Sequence, residues 1–97
     1  MTTPLLSESD IADGLRDLPE WTRTGDTITR SVRAATFPAG IELVRKVADA
    51  AERAQHHPDI DIRWRTVTFA LSTHSAGGLT RKDLELAAVI DDLAGQA

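Results

Sequence analysis

The sequence predicts an α+β fold, a four-stranded antiparallel sheet with three helices packed on one face, in the order α-β-β-α-β-β-α. Three observations carry this expectation. Two regions of apolar–polar alternation are each interrupted by a short turn, which reads as two hairpins. Three stretches of helical periodicity stand before, between and after them. Hairpins interleaved with helices favour an antiparallel sheet covered on one side.

Ser7 opens the first helix, and Glu8, Ser9 and Asp10 supply the capping and acidic residues that helix N-termini favour. Ile11, Leu15 and Leu18 recur on one face, and Pro19 ends the helix. Gly14 weakens it by about 1 kcal/mol relative to Ala. Trp21–Arg23 and Ile28–Arg33 then read as strands around a Thr24-Gly25-Asp26 turn, with Trp21 closing the hairpin. Pro38 and Gly40 mark the start of the second helix, which should run to Gln55 and stop before Pro58. Ile41, Val44, Val47, Ala48 and Ala51 form its apolar stripe. Ile60, Ile62 and Trp64 alternate with charged residues, and Val67, Phe69 and Leu71 alternate beyond an expected Arg65-Thr66 turn. Gly77-Gly78 marks a loop, and Thr80 with Asp83 forms a capping-box-like start to the last helix. Leu86, Val89, Ile90 and Leu93 are its expected apolar stripe.

A chain of 97 residues is expected to form one domain, spanning 1–97. Only 4% of its residues are aromatic, so the core must be built mainly from Ala, Val, Ile and Leu and should be thin. Subunits are then expected to bury further apolar surface against one another. There is no Cys, which excludes a disulfide framework, a thiolate zinc site and a thiol nucleophile. An apolar fraction of 41% is too high for a disordered chain, and no apolar run approaches a membrane span. The net charge of −4 argues against nucleic-acid binding. Met1 to Ser7 lacks the basic and apolar regions of a signal peptide, so a cytoplasmic location is expected.

The three histidines stand out. His56 and His57 lie at the break after the long helix, and His74 lies at the end of the last strand. Both loci flank the same predicted hairpin, and the base of a hairpin brings its ends together. Imidazoles are well matched to proton transfer at neutral pH. Glu52, four residues before His56, can orient an imidazole one helical turn away, and Asp83 is a second carboxylate close by. A three-histidine metal site is the competing chemistry. It is disfavoured by the absence of H-x-H, H-x-x-x-H or H-E-x-x-H spacing. The bland alternative is a polar His-His-Pro turn and a surface His74. Ser72 and Ser75 lie near His74, but no nucleophile elbow or oxyanion loop accompanies them.

Glu52-Arg-Ala-Gln-His56-His57-Pro58, five residues to Trp64, nine more to His74 and eight more to Asp83 resembles the signature of the pterin-4a-carbinolamine dehydratases. Leu71 to His74, Ala76 to Thr80, and Leu15, Leu18 and Trp21 are similar to further family segments, so the resemblance spans nearly the whole chain. It implies loss of water from 4a-hydroxytetrahydropterin to give quinonoid dihydropterin, without a metal or organic cofactor. That reaction recycles the pterin oxidised by aromatic amino acid hydroxylases. It implies His56 and His74 as the acid/base pair and His57 as the residue that binds and orients the pterin. Gln55, Ser72, Thr73 and Ser75 would lie against the ring, with Glu52, Trp64 and Asp83 in support. It implies a homodimer or homotetramer with a pterin substrate and neither nucleic acid nor membrane as a partner. Animal members also act as dimerisation partners of a homeodomain transcription factor. A non-catalytic dimerisation or pterin-binding module, and a role in molybdopterin metabolism, are the alternative readings.

Overall fold

The computed structural model describes residues 3–96. Met1, Thr2 and Ala97, the ends of the expected domain and leader region, lie outside them. The elements are α1 (Glu8–Arg16), β1 (Thr22–Thr24), β2 (Thr27–Arg33), α2 (Phe37–Ala54), β3 (Asp59–Arg63), β4 (Thr66–Leu71) and α3 (Arg81–Ala94), with a single 3₁₀ turn at His74–Ala76. The expected order is therefore present. All strand pairs are antiparallel, in the order β1-β2-β4-β3.

The register decides which face is buried. Ile28 stands opposite Leu71, Arg30 opposite Phe69 and Val32 opposite Val67. All but Arg30 are buried in the core. The alternate residues, Thr27, Thr29, Ser31, Thr66 and Thr68, form the polar face. There Ser31 Oγ and Thr68 Oγ1 share a hydrogen bond of 2.7 Å between neighbouring strands. The helices cover the apolar face, with Leu43, Val47, Leu86 and Ile90 packed into one cluster with the strand residues.

Ser7 Oγ caps α1 by accepting from the Asp10 N–H at 3.0 Å. Gly14 has a packing reason: a Cβ there would stand 2.4 Å from Leu84 Cδ1, so glycine lets α1 lie close against α3. The Arg23 guanidinium donates to both oxygens of Glu8, at 2.7 and 2.9 Å, and ties α1 to the first hairpin. That fork holds the Glu8 carboxyl below the usual carboxylate range and raises Arg23. A lowered carboxyl stabilises the fold above its unfolded pKa, and that stabilisation is lost as pH falls through the folded value. Glu8→Gln is therefore expected to lower stability slightly at neutral pH and not at all in strong acid. Urea unfolding at the two pH values checks this, and an equal deficit at both would refute it.

Several boundaries differ from the sequence expectation. The first turn is Gly25-Asp26 alone, closed by the Thr24–Thr27 pair, with Gly25 at φ 59. Trp21 does not close that hairpin; it precedes β1, is buried, and donates from Nε1 to Asp91 Oδ1 of α3 at 2.8 Å. The second turn is Trp64-Arg65, one residue earlier than expected, because Ile60 pairs with Phe69 and Ile62 with Val67. Trp64 adopts φ 51, and the Arg65 guanidinium lies 4.5 Å over its ring. The buried stripe of α2 is Gly40, Leu43, Val47, Ala50 and Ala51, whereas Ile41 and Ala48 face solvent. On α3, Leu86, Ala87 and Ile90 are buried but Val89 is exposed.

Candidate active site

Two chain reversals build the site. The first is the end of α2. Gln55 takes a left-handed conformation at φ 53, the His56 N–H donates to the Ala51 carbonyl at 3.1 Å and the Gln55 N–H to the Glu52 carbonyl at 3.2 Å. These bonds form a Schellman motif. The reversal separates the adjacent histidines: His56 is buried, and His57 is exposed. The second reversal follows β4. The strand ends at Leu71, and Thr73 and Gly78 bond each other's backbone at 2.9 and 3.3 Å around the His74–Ala76 turn. His74 thus opens a 3₁₀ turn rather than ending a strand.

The two reversals meet in a polar cleft of about 230 Å³. All three histidines line it, together with Gln55, Ser72, Thr73 and Ser75. Lys82 completes the lining. A larger hollow of about 480 Å³ between α1 and α3 contains no histidine. Among the described residues, no three His, Asp or Glu side chains are placed to hold a metal ion.

Each histidine has a different setting. His56 Nε2 lies 2.5 Å from Oδ1 of Asp83, which is fully buried. His57 Nε2 is hydrogen-bonded to Glu52 Oε2, and both groups are exposed. His74 is exposed and its ring bonds no other described side chain.

The Asp83 carboxylate is the hub of a buried network. Its Oδ2 accepts from the Thr73 hydroxyl at 2.8 Å and from the Thr80 N–H at 2.9 Å. Thr73 has one hydroxyl hydrogen and gives it to Asp83, so the 2.8 Å contact between Thr73 and Thr80 must be donated by Thr80. Thr80 Oγ1 in turn accepts from the Lys82 N–H at 3.2 Å. With Asp83 ionised, His56 carries its proton on Nε2 and presents Nδ1 as its free ring nitrogen. A carboxylate behind an imidazole fixes its tautomer and orientation.

Seven of the sequence-predicted residues line the cleft, and Glu52 and Asp83 stand behind His57 and His56. Trp64 is not brought there. It sits at the tip of the β3–β4 hairpin, five residues or roughly 17 Å from its base, and is 69% exposed. Sequence reasoning missed Thr80 and Lys82. Thr80 was visible only as a helix cap, because capping and the histidine network use the same Asp83 carboxylate.

The sequence profile of the family described as Pterin 4 alpha carbinolamine dehydratase matches residues 4–93. The chain belongs to this family. A relative from Nocardia farcinica named "Putative pterin-4-alpha-carbinolamine dehydratase" is 69% identical, across 97% of this chain and 99% of its own length. A crystal structure from Brucella melitensis, described as a transcriptional coactivator/pterin dehydratase, superposes with a TM-score of 0.90 at 31% identity. That match covers 94% of this chain and 99% of the other. A pterin dehydratase-like protein described as a RuBisCO assembly factor in the alpha-carboxysome gives a TM-score of 0.64 at 18% identity, over 77% of this chain and 87% of that one. At that identity the likeness is one of fold alone.

Proposed function

We propose that this chain dehydrates a 4a-hydroxytetrahydropterin to the quinonoid dihydropterin and water, in support of tetrahydropterin recycling. The observation that carries the reading is the cleft itself, in which three imidazoles in three settings line one polar space. One imidazole gives its proton to the hydroxyl on C4a. The C–O bond breaks, and its electrons leave with the oxygen as water. A second imidazole takes a proton from a ring nitrogen, and the N–H electrons complete a C=N bond to C4a. His56 and His74 are the acid/base pair, and His57 orients the pterin. Gln55, Ser72 and Ser75 lie against the ring. The Thr73 hydroxyl is engaged with Asp83 and Thr80, so it is a positioning group at the cleft wall. Glu52 positions His57, and Asp83 positions His56.

Stopped-flow decay of a chemically generated carbinolamine tests the reading. Pure protein is expected to accelerate it with saturation kinetics. No acceleration would shift the assignment to a non-catalytic pterin-binding or dimerisation module.

The proposal includes one domain over 1–97, a cytoplasmic setting, and assembly as a homodimer or homotetramer. No helix among the described residues is long and apolar enough to cross a membrane. The exposed surface supports assembly. The edge strand β3 is exposed along its length, including Ile60 and Ile62, and Phe37 and Ile41 are exposed on α2. An open edge strand with apolar side chains invites pairing. Light scattering after size exclusion is expected to give a dimer or tetramer at micromolar concentration, and a stable monomer would count against this part.

A further inference from the structure

Lys82 is the one residue that lines both the histidine cleft and a second hollow beside it. That hollow measures about 400 Å³, lies between α2 and α3, and is walled by Ala50, Ala54, Leu86 and Val89. Lys82 brings the only ammonium or guanidinium to the cleft lining. Among the described residues it belongs to no ion pair. Its backbone is anchored, because its N–H donates to buried Thr80 in the network behind His56, while its side chain is exposed. Glu52 and Asp83, the carboxylates nearest the cleft, are both engaged by histidines.

We propose that Lys82 is a specificity residue that selects pterins carrying an anionic tail, with the ring in the histidine cleft and the anionic end of the tail held by Lys82 at the mouth of the α2–α3 hollow. This rests on the dehydratase reading and narrows its substrate class. A ring held among Gln55, His57 and Ser75 has to send a tail past Lys82 to reach the apolar walls. An unpaired ammonium at that junction gains a charge-assisted hydrogen bond from a phosphate or carboxylate and nothing comparable from a neutral chain. Glu85, one turn further along α3, also lines the hollow, so its carboxylate opposes an anion deeper in and favours one that stops at Lys82.

The test compares three 7,8-dihydropterins by their fluorescence on binding the wild-type protein and Lys82→Gln. One carries a neutral trihydroxypropyl chain, one the same chain phosphorylated, and one a carboxylate-ended chain. At low salt the wild type is expected to bind at least one anionic probe about 10–100-fold more tightly than the neutral one. Raising the ionic strength should shrink the gap, and Lys82→Gln should reduce it to under about threefold. A gain confined to the phosphate or to the carboxylate probe identifies the tail. Equal binding of all three probes, or an unchanged preference in Lys82→Gln, overturns the proposal. Carbinolamine decay separates the two readings. Run with neutral and anionic substrates, acceleration of all alike overturns only the role of Lys82, and acceleration of none overturns the dehydratase reading as well.

Discussion

His74→Ala is expected to lower kcat for carbinolamine dehydration by about 10²–10⁴-fold, and by no less than tenfold, while thermal unfolding stays unchanged. The two halves of this expectation have separate causes. A positioned acid or base supplies a rate factor of that size, and water replaces it poorly. The fold is indifferent, because His74 is exposed and its ring holds no other described side chain in place. His56→Ala is expected to show a similar loss of kcat but a different stability. His56 is the one described side chain hydrogen-bonded to Oδ1 of the fully buried Asp83. Truncation leaves that oxygen without its donor, at a cost of about 1–3 kcal/mol. Asp83→Asn separates positioning from chemistry. It keeps the shape and a hydrogen-bonding oxygen, but it no longer fixes the His56 tautomer, so kcat should fall with little change in KM. Enzyme assays paired with thermal melts check all three. Wild-type-like dehydration by both histidine variants would remove the acid/base assignment.

The contrast between His56 and His74 shows what could be read from the chain and what could not. That both histidine loci meet followed from the hairpin alone, since Asp59 pairs with Ala70 at its base. Which imidazole is buried did not follow, because it depends on a left-handed Gln55, and glutamine carries no sequence mark of that conformation. The same reasoning explains the misplaced stripe on α2. Ile41, Leu43, Val44, Val47, Ala48, Ala50 and Ala51 cover a full half of the helix circumference. Periodicity then permits more than one buried face, and packing against β4 and α3 selects Leu43 and Ala50 over Ile41 and Ala48. The turn at Trp64-Arg65 was hidden for a related reason: register, rather than turn chemistry, decides it, and a bulky residue at positive φ is not what a turn signal looks like. Asp83 was marked as a carboxylate close to the histidines and by the family resemblance, whereas its capping-box position showed only the start of α3.

Asp91 lies outside the proposed catalytic machinery, yet its removal is expected to damage the fold severely. Arg30 sits on the apolar face of the sheet between Ile28 and Val32, where a cation has no ordinary place. Its Nη1 donates to Asp91 Oδ1 at 2.5 Å, and Trp21 Nε1 donates to the same oxygen at 2.8 Å. The side chains of the ion pair are only 18% and 23% exposed, so water replaces the carboxylate only in part. Arg30 Nε is already buried without a partner. Asp91→Ala would strand the guanidinium and the indole N–H together. Breaking a fully buried pair costs about 3–5 kcal/mol, and the residual exposure here reduces that to about 2–3 kcal/mol. The unpaired indole adds about 1 kcal/mol. A total of about 3–4 kcal/mol is a large share of the roughly 5–15 kcal/mol that holds a small domain together. Tm should fall by about 12–30 °C, measured at matched protein concentration because the proposed assembly would shift it. Asp91→Asn keeps an acceptor for Trp21 and should lose roughly half as much. The double variant Arg30→Met with Asp91→Leu removes both charges at once and should recover most of the stability, since an apolar pair fits the surroundings of Ile28, Val32 and Phe69. A melt of Asp91→Ala within about 3 °C of wild type would show that the triad does not anchor α3 to the sheet.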